Sequence, residues 1–264
     1  MATATVAAPY TGTVFIDADW VTADDPTALR GLSDEGTGNR TMFDRRHDAF
    51  RNYDAYLFQA TFADGLSAEI QVNPEFGSLS AARAEAQKYA VEIGRLPTLL
   101  RMDVDTVWIH RGNEAFGGGN RNLLIHTDQG EDYIASGFLN EVFVHEAVHT
   151  SLDADHASSA GWLAAQAADP MFLSTYARDN PTREDVAESF LPYYALRLFP
   201  DRVSAVDRQQ IEDAIPNRIA YFDSQNFELT TVAAVPEPTT SAMLVMIAGG
   251  LAARHRRKRS VLRQ

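Results

Sequence analysis

The apolar positions predict strands first and helices afterwards. Tyr56 to Phe62 and Leu66 to Val72 read as two strands joined at Ala63-Asp64-Gly65, a hairpin signal. Ser80 to Ile93 reads as a helix, because Ala82, Ala86, Tyr89, Ala90 and Ile93 recur at helical spacing; Gly94 is expected to end it. Thr106 to His110 and Asn122 to His126 predict two further strands, with Gly117-Gly118-Gly119 as a loop between them. A helical run then extends from Gly137 to Leu152, and its apolar residues (Leu139, Val142, Phe143, Val144, Ala147, Val148, Leu152) cover most of its circumference. A helix that is apolar nearly all round is buried. Beyond it the pattern is mostly helical: Ala160 to Ala168, Phe172 to Ala177, Arg183 to Phe199 and Ser204 to Ala214. Pro192 is expected to kink or break the third of these after its second turn. Residues 1–50, rich in Asp, Gly and Thr with one apolar patch at Val14-Phe15-Ile16, predict an irregular N-terminal arm. The order indicates an α+β fold over 51–230, followed by a distinct segment, 231–264.

The buried helix carries the chemistry. His145-Glu146-Ala147-Val148-His149 reads H-E-x-x-H. Residues i and i+4 share a helix face, so both imidazoles can address one cation, and Glu146, about 100° around the helix, can reach a water on it. Two imidazoles and a carboxylate are costly in an apolar helix unless something pairs with them. Two histidines leave a tetrahedral zinc needing a third protein ligand and one open position. Three candidates follow: Asp155, His156 and Glu184. Asp155 has the spacing of the extended motif H-E-x-x-H-x-x-G-x-x-H/D, but Leu152 stands where that motif has its glycine, and Met171 lies in surroundings that do not support a Met-turn. Asp155 and His156 are more simply polar residues of a helix end. Glu184 and Glu188 stand i and i+4 on one helix, whose start resembles a capping box from Thr182 to Asp185. A solvated acidic helix face is the plainer alternative for that pair.

The chain has no cysteine, which excludes disulfides and thiolate ligands. The formal charge is −13, with 23 basic and 36 acidic residues. Six of the basic residues lie at or after Arg254, where there is no acid; without them 17 basic residues face 36 acidic, a net −19. So acidic a body repels nucleic acid.

Strands, then an H-E-x-x-H helix, then helices resemble the zincin metallopeptidases. That resemblance implies a small mixed sheet whose last strand before the active helix, here Asn122 to His126, is the edge on which a peptide substrate lies extended. Gly117–Gly119 would then form a mobile rim. The segment Glu184 to Phe190, E-x-x-A-E-x-F, resembles the lethal-factor branch of the gluzincins. This implies Glu184 as the third zinc ligand, Glu188 as the partner that fixes a ligand histidine, and Tyr176 as a helper at the oxyanion. The activity implied is hydrolysis of peptide bonds, with Glu146 as general base. The alternative is a non-catalytic cell-surface or biofilm matrix protein on the same scaffold.

The tail is a second signal. Pro236-Glu237-Pro238 precedes an uncharged, largely apolar run from Thr239 to Ala253 and then Arg254-His255-Arg256-Arg257-Lys258-Arg259. As a helix the run would span about 22 Å, short of the roughly 30 Å hydrocarbon core. The basic cluster behind it favours a membrane segment with a cytoplasmic end. The three parts resemble the PEP-CTERM sorting signal, which implies export, transient membrane anchoring and processing by an exosortase-type enzyme. Such proteins carry a secretory leader. The first basic residue here is Arg30 and no long apolar run precedes it, so the resemblance places the leader upstream of Met1 or already removed.

Overall fold

The computed structural model describes residues 7–16 and 20–233; the PEP-CTERM-like motif and everything after it lie outside the described residues. No described helix is long and apolar enough to cross a membrane.

The fold is mixed α and β. Six strands, β1 (Leu29–Asp44), β2 (Ala49–Phe62), β3 (Ser67–Val72), β4 (Thr106–His110), β5 (Gly117–Gly119) and β6 (Asn122–His126), form one sheet in the order β1-β2-β3-β4-β6-β5. β1, β2 and β3 are an antiparallel meander, β3, β4 and β6 run parallel, and β5 returns antiparallel to β6. Helix α1 (Leu79–Arg95) makes the crossover from β3 to β4 that a parallel pair requires. It is followed by α2 (Thr98–Arg101), and α3 (Thr127–Ser136) and α4 (Leu139–Ser151) follow β6. The C-terminal part is helical: α5 (Asp153–His156), α6 (Ala160–Ala168), α7 (Thr175–Asp179), α8 (Asp185–Leu198), α9 (Ala205–Ala214) and α10 (Pro216–Ser224). The main apolar core joins the sheet to the helices, from Val14 and Trp20 through Phe58, Ile70 and Ile109 to Phe143, Phe190 and Phe222.

Five local expectations are corrected. Residues 29–44, expected to be irregular, are the longest strand; it has few apolar residues and takes its extended form from the ladder with β2. The triglycine, expected to be a loop, is a strand, and it displaces Asn122–His126 from the sheet edge to an inner position. Gly94 does not end α1, which continues to Arg95. It is there for close packing, since a Cβ would lie 2.2 Å from Thr27 Oγ1, and the helix stops before Leu96-Pro97. Thr182 does not cap α8. Glu184 holds the cap position, and Asp185 is buried against Arg218. Pro192 does not break α8, which runs through it to Leu198.

The β1–β2 hairpin extends past β3, whose pairing with β2 covers only Tyr56 to Thr61. The overhang closes over the sheet face opposite the main core, where Met42, Ala55 and Leu57 pack with Tyr53 and Trp108. Its tip, a turn over Arg45–His47, is tied down by buried Asp44. That carboxylate accepts from Arg46 Nε (2.9 Å), Arg46 Nη2 (2.8 Å) and Tyr53 Oη (2.6 Å), while Arg46 Nη1 reaches Glu75 (2.7 Å).

Two histidines lie beneath this tip. His110 and His126 are fully buried and stack with centroids 5.5 Å apart. The Asn73 amide oxygen accepts from Glu75 N, so its nitrogen donates to His110 Nδ1 (2.9 Å), which leaves the His110 proton on Nε2. Burial pushes the His110 pKa down to about 4, and burial lowers that of His126 as well. Below about pH 6.5 the unfolded chain takes up protons that the folded chain refuses until about pH 4. The urea midpoint is therefore expected to fall as pH drops from 6.5 to 4, by ~1–3 kcal/mol of stability from His110. His110→Gln should flatten that slope; an unchanged slope in the variant would refute the assignment.

Candidate metal centre

Helix α4 begins where α3 is stopped. Gly137, at φ 78°, turns the chain out of α3, and Phe138 leads into α4. All seven apolar positions expected to be buried on this helix are buried. With its apolar surface committed to the core, α4 shows His145, Glu146 and His149 to a cleft of about 550 Å³ between β5 on one side and α7 with the start of α8 on the other.

Three of the predicted residues converge there. His145 Nε2 lies 3.1 Å from His149 Nε2 and 3.5 Å from Glu184 Oε2, and His149 Nε2 lies 3.1 Å from the same oxygen. These atoms could hold a metal ion, and among the described residues no other group of three or more His, Asp or Glu does so. Glu188, one turn on from Glu184, places Oε1 3.4 Å from His145 Nδ1. Its other oxygen accepts from Ser174 Oγ (2.5 Å) and Val14 N (2.9 Å). Tyr176 lines the cleft, and its hydroxyl interacts with Glu184. Asp155 and His156 are elsewhere: Asp155 is exposed on α5, and His156 Nδ1 bonds Tyr221 Oη (2.7 Å). Met171 gives its carbonyl to Arg218 (3.2 Å).

Sequence reasoning missed four contributors. Asp153 takes His149 Nδ1 at 2.6 Å, and its i+4 spacing from His149 was a usable signal. Arg218, buried between Asp169 (2.8 Å) and Asp185 (2.9 Å), anchors the residue after Glu184. The N-terminal strap sends Val14 N to Glu188 and Ile16 N to Glu141 (3.0 Å). Arg45, at the hairpin tip, lines the cleft from the far side. The last three join segments distant in sequence, and no local pattern announces them.

The electrostatics of this cluster favour positive charge. The Nδ1 atom of each imidazole faces a carboxylate, and the two Nε2 atoms face each other and Glu184. Burial disfavours a charged His149, but Asp153 and Glu184 outweigh it and push its pKa up to about 10. Burial likewise opposes ionisation of Glu184, yet hydrogen bonding to His145 and His149 holds its carboxyl well below the usual carboxylate range. Burial pushes Glu188 up, partly offset by His145. Something positive belongs among these atoms.

The edge strand β5 sits directly on α4. Gly119 N donates to Thr150 Oγ1 (2.9 Å), which bonds Asn122 O (3.0 Å), so the turn after His149 is pinned to β5 and β6. A Cβ on Gly118 would lie 1.8 Å from the Glu146 carbonyl oxygen.

Comparison of the chain with protein-family models, curated proteins and solved structures yields no match.

Proposed function

We propose that the protein is an exported zinc-dependent peptidase of zincin type, with His145, His149 and Glu184 as ligands and Glu146 as general base. The observation that carries this reading is the convergence of two Nε2 atoms and one carboxylate oxygen at 3.1–3.5 Å beside Glu146 in an open cleft. The donor set suits zinc: ligands at ~2.0–2.1 Å in a tetrahedron stand about 3.3–3.4 Å apart. Each imidazole also has a carboxylate behind it, the arrangement that fixes a ligand histidine's tautomer and raises its basicity.

Zinc, when bound, lowers the pKa of water toward neutrality and polarises a carbonyl. The chain's own residues do the rest. Glu146 accepts a proton from the attacking water and returns it to the leaving amine. Tyr176 donates a hydrogen bond to the oxygen on which charge develops. Asp153 and Glu188 hold the two imidazoles in place. An extended substrate adds along β5, the terminal strand of the sheet on this side of the cleft. Export and exosortase-type processing rest on the PEP-CTERM resemblance of 236–259.

One preparation tests the reading. Protein from the native envelope is expected to hold one zinc per chain, to end near Pro236-Glu237-Pro238 by intact mass, and to digest a peptide library until a chelator is added. Asp153→Asn should weaken zinc binding by about 10–100-fold in a competition titration. No stoichiometric zinc, or zinc affinity indifferent to Asp153, would count against the proposal.

A further inference from the structure

Two arginines line the cleft, Arg45 and Arg183. Arg183 is committed, its Nε 3.0 Å from Glu184 Oε1. Arg45 is not: its Nη2 donates to the neutral carbonyl of Phe116 (3.0 Å), and no carboxylate of the described residues pairs with it. In a body so rich in acid, a cation left uncompensated in a cleft is conspicuous. Its backbone is fixed, because Asp44 and Arg46 on either side form the buried clamp that ties the hairpin tip to Tyr53 and Glu75. Beside it stand Phe116, Tyr133 and Val142, a partly apolar wall that strengthens a charge–charge contact relative to open water. Burial raises the Tyr133 hydroxyl, Glu146 adds to that and Arg45 opposes it, so both charges act at this end of the cleft.

The direction of the substrate follows from β5. Gly118 lies over the backbone of Glu146, the residue that carries the proposed base, and Arg45 stands beside Gly117, at the start of the strand. Antiparallel pairing is the more stable per residue. A chain added antiparallel to β5 runs from Gly119 toward Gly117, so the residues following the scissile bond approach Arg45. Resting on the peptidase reading, we propose that Arg45 is a specificity-determining residue that receives a carboxylate carried by the substrate on the C-terminal side of the cleaved bond. That carboxylate is either an Asp or Glu side chain or the substrate's own C-terminus, and the guanidinium fork suits both.

The test separates recognition from turnover. Full-chain Glu146→Gln protein, loaded with zinc, is titrated with two peptide sets, one capped at both ends and one with a free C-terminus, each carrying a single Glu, Gln or Lys at successive positions. Glu peptides are expected to bind about fivefold more tightly than their Gln counterparts. Adding Arg45→Gln should abolish that ratio, Arg45→Lys should retain part of it, and Arg45→Glu should reverse it in favour of Lys peptides. A preference confined to the uncapped set assigns the carboxylate to the chain end; one present in the capped set assigns it to a side chain. Equal affinities for Glu, Gln and Lys peptides, no binding of any peptide, or a preference that survives Arg45→Gln would overturn the proposal. A carboxylate preference that depends on Arg45, alongside wild-type protein that hydrolyses nothing, would instead overturn the peptidase reading and leave this subsite standing.

Discussion

Glu146→Gln is expected to reduce peptide hydrolysis by about 10²–10⁴-fold while leaving one zinc per chain, the loss set by removal of a general base. The glutamine keeps the shape of the side chain and the packing of α4, and Glu146 is not one of the three converging ligand atoms. Metal analysis and kcat/KM on the best library peptide, measured on the same sample, separate the two effects. Loss of zinc together with activity would mean that Glu146 holds the centre together and would remove it from the proton-transfer role. Retention of activity would require a different base in the cleft.

Gly118→Ala is expected to be the most damaging exchange outside the charged residues. Its added Cβ meets backbone: the Glu146 carbonyl oxygen at 1.8 Å, the carbonyl carbon at 2.6 Å and Cα at 2.9 Å. No rotamer relieves such a contact, so either β5 lifts from α4 or α4 shifts beneath it. Overpacking of this kind costs about 2–4 kcal/mol, a fall in Tm of roughly 5–12 °C for a domain of this size. Hydrolysis should fall further than stability suggests, because displacement by an ångström at a reacting group can cost ~100-fold. Gly117→Ala makes the contrast: the nearest atom there is a guanidinium nitrogen of Arg45 at 2.8 Å, the far end of a flexible side chain. Thermal melts of the pair should differ clearly, with Gly118→Ala the lower. Equal melts would show that the approach of β5 to α4 is not as tight as described.

How much of this was legible in the chain depends on how local each signal is. The apolar positions of α4 and the i, i+4 histidines belong to one helix, so periodicity alone exposed them. Glu184 and Glu188 were legible through their own i, i+4 spacing and a family resemblance, and the structure brings Glu184 to both imidazoles although it lies 35 residues beyond His149. β1 was hidden because Gly31, Gly36 and Gly38 with Ser33, Asp34 and Glu35 give it no apolar alternation; its register shifts between Asp34 and Thr37, and partner strand β2 supplies the order. The triglycine reads as a loop in any propensity scheme. It becomes a strand because α4 leaves no room for a side chain at Gly118 and because Gly119, at φ 113°, adopts a backbone that other residues resist. Asp185 reads as a helix cap by its position near Thr182; the long-range partner Arg218 takes it into the interior instead.

The N-terminal strap has a consequence for biosynthesis. Val14 N bonds Glu188 across 174 positions, and Ile16 N bonds Glu141 across 125. A nascent polypeptide emerging from the ribosome therefore cannot bring His145, His149 and Glu184 together, or seat the strap on Glu188, until α8 has been made.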